Sequence, residues 1–329
     1  MRILLGLFGL AFSVAIVAAV AIGYASFQMK QPSQLTEQTY TIIEPGTSVR
    51  GIARKLQADG AIDPQASFLF PFVVRLRGVA GQLQAGEYLI VPGMSANEMM
   101  TMMVQGNTVQ RQVTVPEGLT SYEVVQIVNA LKAVEGEMID TIPEEGSLLP
   151  ESFAYDRSNT RQDILNRMTR DLQAVLDREW ETREENLPYE SKQDALIMAS
   201  IIEKETGVAD ERRRVAGVFV NRLRRGMPLQ TDPTVIYALT EGRGKLDRAL
   251  LTRDLRTPHP YNTYMNAGLP PGPIANPGIA SIQAALHPEA HDYIYFVADG
   301  TGGHSFAKTL DEHNANVRKW RQIRKSANP

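Results

Sequence analysis

The chain contains no cysteine among its 329 residues. This absence excludes a disulfide framework, a thiolate metal site and a cysteine nucleophile. A strong net charge is also missing, because 34 lysines and arginines against 37 aspartates and glutamates give a formal net charge of −3. No overall electrostatic field therefore points to nucleic acid as a partner. The length predicts about two domains, and a hydrophobic fraction of 43% is sufficient for a buried core.

Charged side chains are absent from residues 3–27 as well. A helix of this length would be about 37 Å long, enough to cross the hydrocarbon core of a membrane. Arg2 precedes the segment and favours an N-terminus in the cytoplasm, while Lys30 behind it is a weaker opposing signal. We expect residues 1–27 to be a single-pass anchor in the cytoplasmic (inner) membrane, with the remainder on the periplasmic, extracytoplasmic side. Small residues at 19–21 leave cleavage as a signal peptide as the alternative.

A small module is predicted after a polar linker at residues 28–39. Residues 40–43 have the pattern of a strand, and a glycine turn leads to Ser48, which is suited to cap a helix. The order of strand, glycine turn, hydroxyl cap and helix recurs near residues 90–95 and 113–120. Common turn chemistry and true repetition both explain this recurrence. The methionines of the second unit are expected to pack in the core.

Residues 40–95 resemble a LysM module, a small strand–helix–helix–strand fold that binds glycans containing N-acetylglucosamine. Glycan binding by this part is a hypothesis that the resemblance implies. We expect the LysM-like module and its connecting strand–helix units to extend over residues 40–140. A larger mixed domain, with the catalytic site, is expected over residues 141–329, so the predicted fold class is α+β.

The larger domain contains a helix that is predicted to be buried on all sides. Ser191 is suited to cap it, and residues 195–202 are apolar almost throughout. Glu203 and Glu205 follow directly. A carboxyl group at the edge of an apolar wall suits acid catalysis on a sugar bond, because desolvation raises its pKa and keeps it protonated near neutrality.

Periodicity alone does not choose between the two glutamates. Glu203 and Glu205 are two positions apart and cannot point the same way on a helix. Solvent exposure or pairing with an arginine would explain either of them without catalysis. Further along, Asp232-Pro233 has the pattern of a helix cap followed by the first helical residue, which gives Asp232 a structural interpretation as well.

Residues 259–278 contain five prolines and three glycines, a composition that argues against regular structure. A long ordered loop of this kind is typical of a binding-site wall. A short helix over residues 279–286, a hairpin over residues 293–306 and a final helix over residues 310–323 are expected to follow it.

Metal and nucleotide sites are not predicted. His287 and His291 have the i, i+4 spacing of zinc ligands, but Pro288 lies between them and no third ligand is near in sequence. The glycine-rich residues 299–303 lack the lysine and the strand–loop–helix context of a phosphate loop, so a turn is expected there. We expect no cofactor and no metal.

Several long motifs occur together in this chain. They are IEKET at 202–206, VFVNRL at 218–223, LQTDPTVIY at 229–237, PYNTY at 260–264, the segment 268–278 and YFVADGTGGHSF at 295–306. In this order they resemble the YceG-like family of membrane-anchored endolytic murein transglycosylases. The resemblance covers nearly the whole chain, including the apolar N-terminal segment.

The resemblance implies lytic cleavage of the β-1,4 bond between N-acetylmuramic acid and N-acetylglucosamine in peptidoglycan, which leaves a 1,6-anhydro end. One carboxyl group can act first as acid and then as base, because the internal 6-hydroxyl is the nucleophile. By this resemblance Glu203 is the acid/base. The residues implied to bind the glycan or to orient Glu203 are Gln230, Thr231, Asp232, Tyr237, Asn262 and Tyr264.

The resemblance also implies cutting within nascent strands beside the synthases, so that strand length is limited and penicillin-binding proteins are possible partners. Two other classes stay open. One is a hydrolytic muramidase in which Asp232 is a second carboxylate that places a water molecule. The other is a non-catalytic, membrane-tethered scaffold that binds peptidoglycan, in which Glu203 is only a buried, paired residue.

Overall fold

The computed structural model describes residues 2–327, and the side chains of residues 8–326. Helices and short strands are mixed along the chain, which confirms the predicted combination of both. The elements are α1 (Arg2–Met29), β1 (Thr39–Ile43), α2 (Val49–Ala58), α3 (Pro64–Leu76), β2 (Gly86–Ile90), α4 (Ala96–Gln105), β3 (Arg111–Thr114), α5 (Ser121–Asn129), β4 (Ser152–Tyr155), α6 (Arg161–Glu181), α7 (Lys192–Glu205), α8 (Arg212–Arg224), α9 (Asp232–Thr240), α10 (Ile279–Leu286), β5 (Tyr295–Ala298), β6 (His304–Ala307) and α11 (Leu310–Ala327).

The chain forms two compact units. Unit 1 comprises Met1–Arg111, Ala133–Glu135 and Ala154–Asn159, and unit 2 comprises Gln112–Lys132, Gly136–Phe153 and Thr160–Pro329. Helix α5 belongs to unit 2, and the two units exchange short segments between residues 112 and 160. The predicted domain boundary after residue 140 stays a prediction. The assignment of one unit to a LysM-like module and the other to a catalytic domain stays a prediction.

The N-terminal helix α1 includes one stretch, Phe8–Met29, that is long and apolar enough to cross a membrane, with a mean hydropathy of 2.2. Only 6% of its most apolar window is buried, so it is not a core helix of unit 1. Its last turn is different, since Ala25 and Met29 are buried in the core of unit 1. The helix is compatible with the predicted anchor. The predicted orientation depends on Arg2, and the predicted span starts at residue 3. The side chains of residues 2–7 lie outside the described side chains.

Unit 1 contains β1, α2, α3 and β2 in the order strand–helix–helix–strand, together with α1 and α4. Strands β1 and β2 pair antiparallel from Thr39 opposite Ile90 to Ile43 opposite Gly86. Helix α2 begins after Ser48, whose hydroxyl accepts a hydrogen bond from the Gly51 amide at 3.2 Å. Met99, Met100 and Met103 of α4 are buried in the same core, which confirms their predicted packing role. Whether this unit binds glycan stays a hypothesis.

Hydroxyl caps begin the later helices too. Ser95 before α4 and Thr120 before α5 each form a capping box, in which Glu98 and Glu123 reach back to the cap. All three predicted strand–turn–helix units are therefore present. Capping chemistry accounts for their likeness, so the question of true repetition stays open.

Unit 2 is organised around α7. Ser191 caps this helix, and every residue from Ala195 to Ile202 is buried, as the apolar sequence predicted. Helices α6, α8 and α10 pack around it. A helix without a solvent-facing side in its central turns is fixed in rotation and in depth, so the side chains at its C-terminal end have defined positions.

Helix α9 begins one residue earlier than predicted. Thr231 occupies the N-cap position, and Asp232 is the first helical residue and not the cap. Thr231 provides no side-chain cap, and Gln230 before it has a φ of 51°, which is uncommon for a residue other than glycine. The carboxylate of Asp232 is therefore free of capping and available to groups from other elements.

The proline-rich loop before α10 contains no helix or strand over residues 259–278, as predicted, and buried hydrogen bonds hold it. The side chain of Asn276 accepts from the Leu148 amide at 2.9 Å and donates to the Leu119 carbonyl at 3.0 Å. The Ile274 amide donates to the hydroxyl of Ser200 on α7 at 3.0 Å. The loop is thus bonded directly to the buried helix.

The hairpin that follows α10 has the predicted turn at residues 299–303. Strands β5 and β6 pair antiparallel from Tyr295 opposite Ala307 to Ala298 opposite His304. The first strand begins two residues later than residue 293, and α11 extends to Ala327 instead of ending at residue 323. The two-residue difference at β5 is within the usual uncertainty of element ends, whereas α11 is four residues longer than predicted.

The substitution Asn276→Ala is expected to reduce the free energy of unfolding of unit 2 by about 1–3 kcal/mol, because it leaves the buried Leu148 amide without an acceptor. Denaturant titration followed by tryptophan fluorescence measures this, since both tryptophans, Trp180 and Trp320, lie in unit 2. Asn266→Ala on the same loop is the matched control. Asn266 is exposed, so water can replace its bonds. An equal loss in both variants would contradict the role of Asn276.

Candidate active site

The two glutamates at the end of α7 lie in different surroundings. Glu203 Oε2 accepts hydrogen bonds from the Gly278 amide at 3.1 Å and from the Ser281 hydroxyl at 2.7 Å. Gly278 is the N-cap of α10 and has no side chain to cap that helix itself. The carboxylate of Glu203 therefore satisfies groups at the N-terminus of α10, where a negative charge is favourable.

A second carboxyl lies beside Glu203. Burial raises the pKa of Glu117, the charge of Glu203 raises it further, and Arg212 opposes both effects. The guanidinium of Arg212 is 3.9 Å from Glu117, at the outer limit of an ion pair. These contacts give Glu203 a structural explanation as part of a bonded network around the start of α10.

Glu205 is the last residue of α7 and is half-buried. Burial raises its pKa from 4.5 to about 7; the Thr231 hydroxyl lowers it, the charge of Asp232 raises it and the Arg222 guanidinium lowers it. The C-terminal end of a helix also disfavours a negative charge, which acts in the same direction as burial. At neutral pH this carboxyl group is therefore divided between its protonated and ionised forms.

The positive charge beside Glu205 belongs to a buried arginine. Arg222 Nε donates to the Ile294 carbonyl at 2.7 Å, and Nη1 donates to the Leu229 carbonyl at 2.6 Å. Its guanidinium lies 5.5 Å from the centroid of the Tyr295 ring. Burial lowers the pKa of Arg222, while Tyr295, Tyr264 and Glu205 raise it. These bonds fix the guanidinium, so it cannot swing away from the site.

Thr231 brings a buried hydroxyl to Glu205. Its amide donates to the hydroxyl of Thr263 at 3.1 Å, and that hydroxyl is 2.8 Å from the hydroxyl of Thr234. The Thr231 hydroxyl is buried, and its hydrogen bond to Glu205 lowers the pKa of that carboxyl. Thr231 therefore lies directly beside the carboxyl group of Glu205.

Asp232 and Tyr264 form the opposite part of the cluster. The Tyr264 hydroxyl donates to Asp232 Oδ1 at 2.6 Å. Burial raises the pKa of Tyr264, and Asp232 and Glu205 raise it further, so the phenol keeps its proton. Gln230 precedes this cluster with an exposed side chain, and its amide donates to the Thr263 carbonyl at 3.1 Å.

Two of the predicted binding residues, Asn262 and Tyr237, form their described contacts with residues other than Glu205. Asn262 is fully buried, and its amide group donates to the carbonyls of Leu255 and Thr257 and accepts from the Tyr264 amide. It therefore positions Tyr264. Tyr237 lies 4.8 Å from the ring of Tyr261, and its pKa is raised by burial and by the neighbouring Glu145. The structure thus brings Thr231, Asp232 and Tyr264 close to Glu205. Tyr237 instead belongs to a separate cluster with Tyr261 and Glu145.

Arg222 is a site residue that sequence reasoning missed. Arginines in the last turn of a helix are favourable to the helix dipole, so the position of Arg222 near the end of α8 does not by itself indicate a site. A signal was present, because Arg222 shares the face of Val215, Val218 and Phe219, which is the buried face of α8. A charged residue on an apolar face indicates a buried partner. Among the described residues, no group of three or more histidines, aspartates or glutamates is arranged to hold a metal ion.

A carboxyl group with a pKa near neutrality, between a fixed guanidinium and a second carboxyl, defines a protein equipped for general acid–base chemistry. The profile of the YceG-like family matches residues 41–319. The chain therefore belongs to the YceG-like family, which confirms the resemblance read from its motifs.

Similar proteins support this membership. An endolytic murein transglycosylase of Bacillus subtilis strain 168 is 35% identical over 309 residues, covering 84% of this chain and 83% of the relative. An endolytic murein transglycosylase of Streptococcus pneumoniae is 27% identical over 94% of this chain, which spans 64% of that relative. A crystal structure of a yceG-like protein from Listeria monocytogenes superposes with a TM-score of 0.51 at 33% identity, covering 85% of this chain and 99% of that one.

The raised pKa of Glu205 predicts a pH-dependent difference in stability. A carboxyl with a folded-state pKa above its unfolded value contributes stability that is complete below about pH 4.5 and is lost as the pH rises through about 7. Glu205→Gln removes this dependence. Between pH 4.5 and 7 the wild type is expected to lose up to ~3 kcal/mol relative to the variant, and no more above that range.

Thermal unfolding of both proteins from pH 4 to pH 9 measures this difference. Glu181→Gln is the matched control, because Glu181 is likewise the last residue of its helix, α6, but is exposed. A difference between wild type and Glu205→Gln that does not change with pH would contradict the described environment of Glu205.

Proposed function

We propose that this chain is a lytic transglycosylase that cleaves the β-1,4 bond between N-acetylmuramic acid and N-acetylglucosamine in peptidoglycan, with Glu205 as its acid and base. The observation that carries the proposal is the carboxyl of Glu205, whose pKa of about 7 results mainly from burial. The substrate class comes from the relatives, which are named endolytic murein transglycosylases.

One carboxyl group is sufficient for both proton transfers. Protonated Glu205 donates its proton to the glycosidic oxygen, so that the bond from this oxygen to C1 of the muramyl sugar breaks. The resulting carboxylate then accepts the proton of the 6-hydroxyl of the same sugar while its oxygen bonds to C1. The products are a free 4-hydroxyl and a 1,6-anhydro end, and the proton returns to Glu205 without water being consumed.

The neighbours of Glu205 have separate roles in this proposal. Asp232 disfavours loss of the proton from Glu205, and its negative charge also suits the positive charge that develops at C1. The Tyr264 hydroxyl holds Asp232 in place. Arg222 stabilises the carboxylate form of Glu205 after the first proton transfer. The hydroxyl of Thr231 helps to stabilise the carboxylate form of Glu205 through its hydrogen bond.

The choice of Glu205 differs from the prediction of Glu203 that the family resemblance implied. Glu203 already accepts two hydrogen bonds at the start of α10, from Gly278 and Ser281. An acid that must release and regain a proton is better served by a carboxyl whose environment disfavours its charge. Glu203 as catalytic acid stays an untested prediction, and the two variants below separate the two assignments.

The location follows from the apolar N-terminal helix. In our proposal α1 is a single-pass anchor in the cytoplasmic membrane with its N-terminus in the cytoplasm, and the remainder of the chain lies on the extracytoplasmic side. Cleavage there, within nascent strands beside the synthases, would limit strand length and bring the enzyme close to penicillin-binding proteins. Peptidoglycan strands are the partner in either case.

Mass spectrometry of the cleavage products tests the proposed reaction. Purified full-length protein is incubated with uncrosslinked nascent glycan strands beside Glu205→Gln and Glu203→Gln. We expect 1,6-anhydro-muramyl ends from the wild type, a loss of at least ~100-fold in rate for Glu205→Gln, since proton transfer by a positioned group contributes 10²–10⁴-fold, and a much smaller loss for Glu203→Gln.

The opposite ranking of the two variants would return the catalytic role to Glu203. Hydrolysis is the second candidate function, because Asp232 lies close enough to Glu205 to raise its pKa and could place a water molecule. Reducing ends in place of anhydro ends would establish it. An absence of products from the wild type, with binding retained, would favour the non-catalytic scaffold.

The cleavage rate is expected to depend on pH with a fall above about pH 7, because the first step needs protonated Glu205. Asp232→Asn removes a charge that raises this pKa, so the midpoint of the fall should move to lower pH. Initial rates measured from pH 5 to pH 9 show both effects. A midpoint that moves to higher pH in Asp232→Asn would contradict the described coupling.

A further inference from the structure

Helix α3 of unit 1 exposes a row of large apolar side chains. Phe68 is 83% exposed, Phe72 46% and Leu76 53%. They are four residues apart, so they lie one above the other on a single face, which we call the α3 stripe. The opposite face of α3 is buried in the core of unit 1 through Phe70 and Val74. A helix that is apolar on both faces requires a second apolar environment.

The α3 stripe lies next to the helix that is proposed to span the membrane. A groove of about 870 Å³ is lined by Phe68 and Phe72 of α3 together with Ala21 and Ala25 of α1. The side chain of Gln28 on α1 donates to Gln65 on α3 at 2.9 Å, which ties the two helices together within unit 1. The apolar surface of α1 therefore continues onto the α3 stripe.

The position of this groove along α1 corresponds to the boundary of a bilayer. The uncharged apolar segment begins at residue 3. Ala21 and Ala25 lie about 27 and 33 Å further along the helix at 1.5 Å per residue. A hydrocarbon core is about 30 Å thick. The groove is therefore at the level where acyl chains give way to headgroups, the depth at which apolar faces of interfacial helices insert.

Positive charges border the same groove. Arg50 and Arg54 are exposed on one face of α2, and Arg75 is exposed beside Leu76 on α3. None of these three arginines forms an ion pair within the described part of the chain. Guanidinium groups without a carboxylate partner beside an apolar face are suited to the phosphates of anionic lipids.

We propose that the α3 stripe, with Arg50, Arg54 and Arg75, docks unit 1 on the surface of a bilayer that contains anionic phospholipid. The aromatic side chains lie at the boundary of acyl chains and headgroups, and the arginines contact lipid phosphates. The inference rests on the proposed location of α1 in a membrane and goes beyond it. Unit 1 is then held against the bilayer and is not free on a tether.

Single cysteines can test this contact, because the natural chain has none. Phe68→Cys and Phe72→Cys are spin-labelled in the full chain, reconstituted at one copy per nanodisc containing phosphatidylglycerol. Power saturation then compares collisions with oxygen, which enters the bilayer, and with a water-soluble nickel complex. Val17→Cys on α1 marks the hydrocarbon, and Tyr40→Cys on β1, exposed in the same unit, is the matched control.

We expect an oxygen-to-nickel accessibility ratio at positions 68 and 72 that is several-fold higher than at position 40 and approaches that at position 17. Water-like ratios at 68 and 72, with a hydrocarbon-like ratio at 17, would overturn the docking and leave the proposed function intact. A water-like ratio at 17 would instead show that the proposed anchor fails, and the docking with it. Ratios at 68 and 72 that rise only when two copies share a disc would overturn the proposal in favour of a contact between copies.

The role of the arginines has its own variant. Arg50→Glu combined with Arg54→Glu is expected to lower the ratio at position 68 severalfold in phosphatidylglycerol discs, and to leave it unchanged in discs of phosphatidylcholine alone. An unchanged ratio on phosphatidylglycerol would contradict recognition of anionic lipid. Neither residue belongs to the proposed catalytic cluster, so the cleavage rate on glycan strands in detergent should stay the same.

Discussion

The burial of α7 in unit 2 is the constraint on which the candidate site depends. The helix has no polar side along residues 195–202, so neighbouring helices enclose it and fix its rotation. The surroundings of its two terminal glutamates are then determined by the residues that pack against the end of α7. Glu203 meets the start of α10 and is bonded there, whereas Glu205 meets Asp232 and Arg222 at a half-buried position. In our proposal the same helix thus provides one structural carboxyl, Glu203, and one catalytic carboxyl, Glu205.

The rigid parts around Glu205 explain why its pKa can be held near neutrality. Arg222 is fixed by two backbone carbonyls, and Tyr264 is fixed by the buried side chain of Asn262. Water is partly excluded, so the charges act through a medium of low polarity and their effects are large. Preorganised groups of this kind need no rearrangement when charge develops on a substrate.

Much of the fold could be predicted from the sequence, because it follows from local chemistry. The apolar run of α7, the caps at Ser48 and Ser191 and the turn between β5 and β6 are determined by neighbouring residues, and the structure has all of them. Periodicity could not separate Glu203 from Glu205, since their surroundings depend on Gly278, Ser281 and Asp232, which are distant in sequence. The prediction of Glu203 came from the family resemblance alone and is untested. The N-cap of α9 was misplaced by one residue for a similar reason, because Asp232 is held by Tyr264 and does not cap its own helix.

The central claim is that the fold keeps Glu205 partly protonated at neutral pH. The most direct measurement is a titration of its side-chain carboxyl carbon by NMR in protein labelled with ¹³C-glutamate, with the resonance assigned by its absence in Glu205→Gln. The account predicts a midpoint near pH 7. A midpoint near 4.5, the ordinary value for this carboxyl, would contradict it and remove the reason for preferring Glu205 over Glu203.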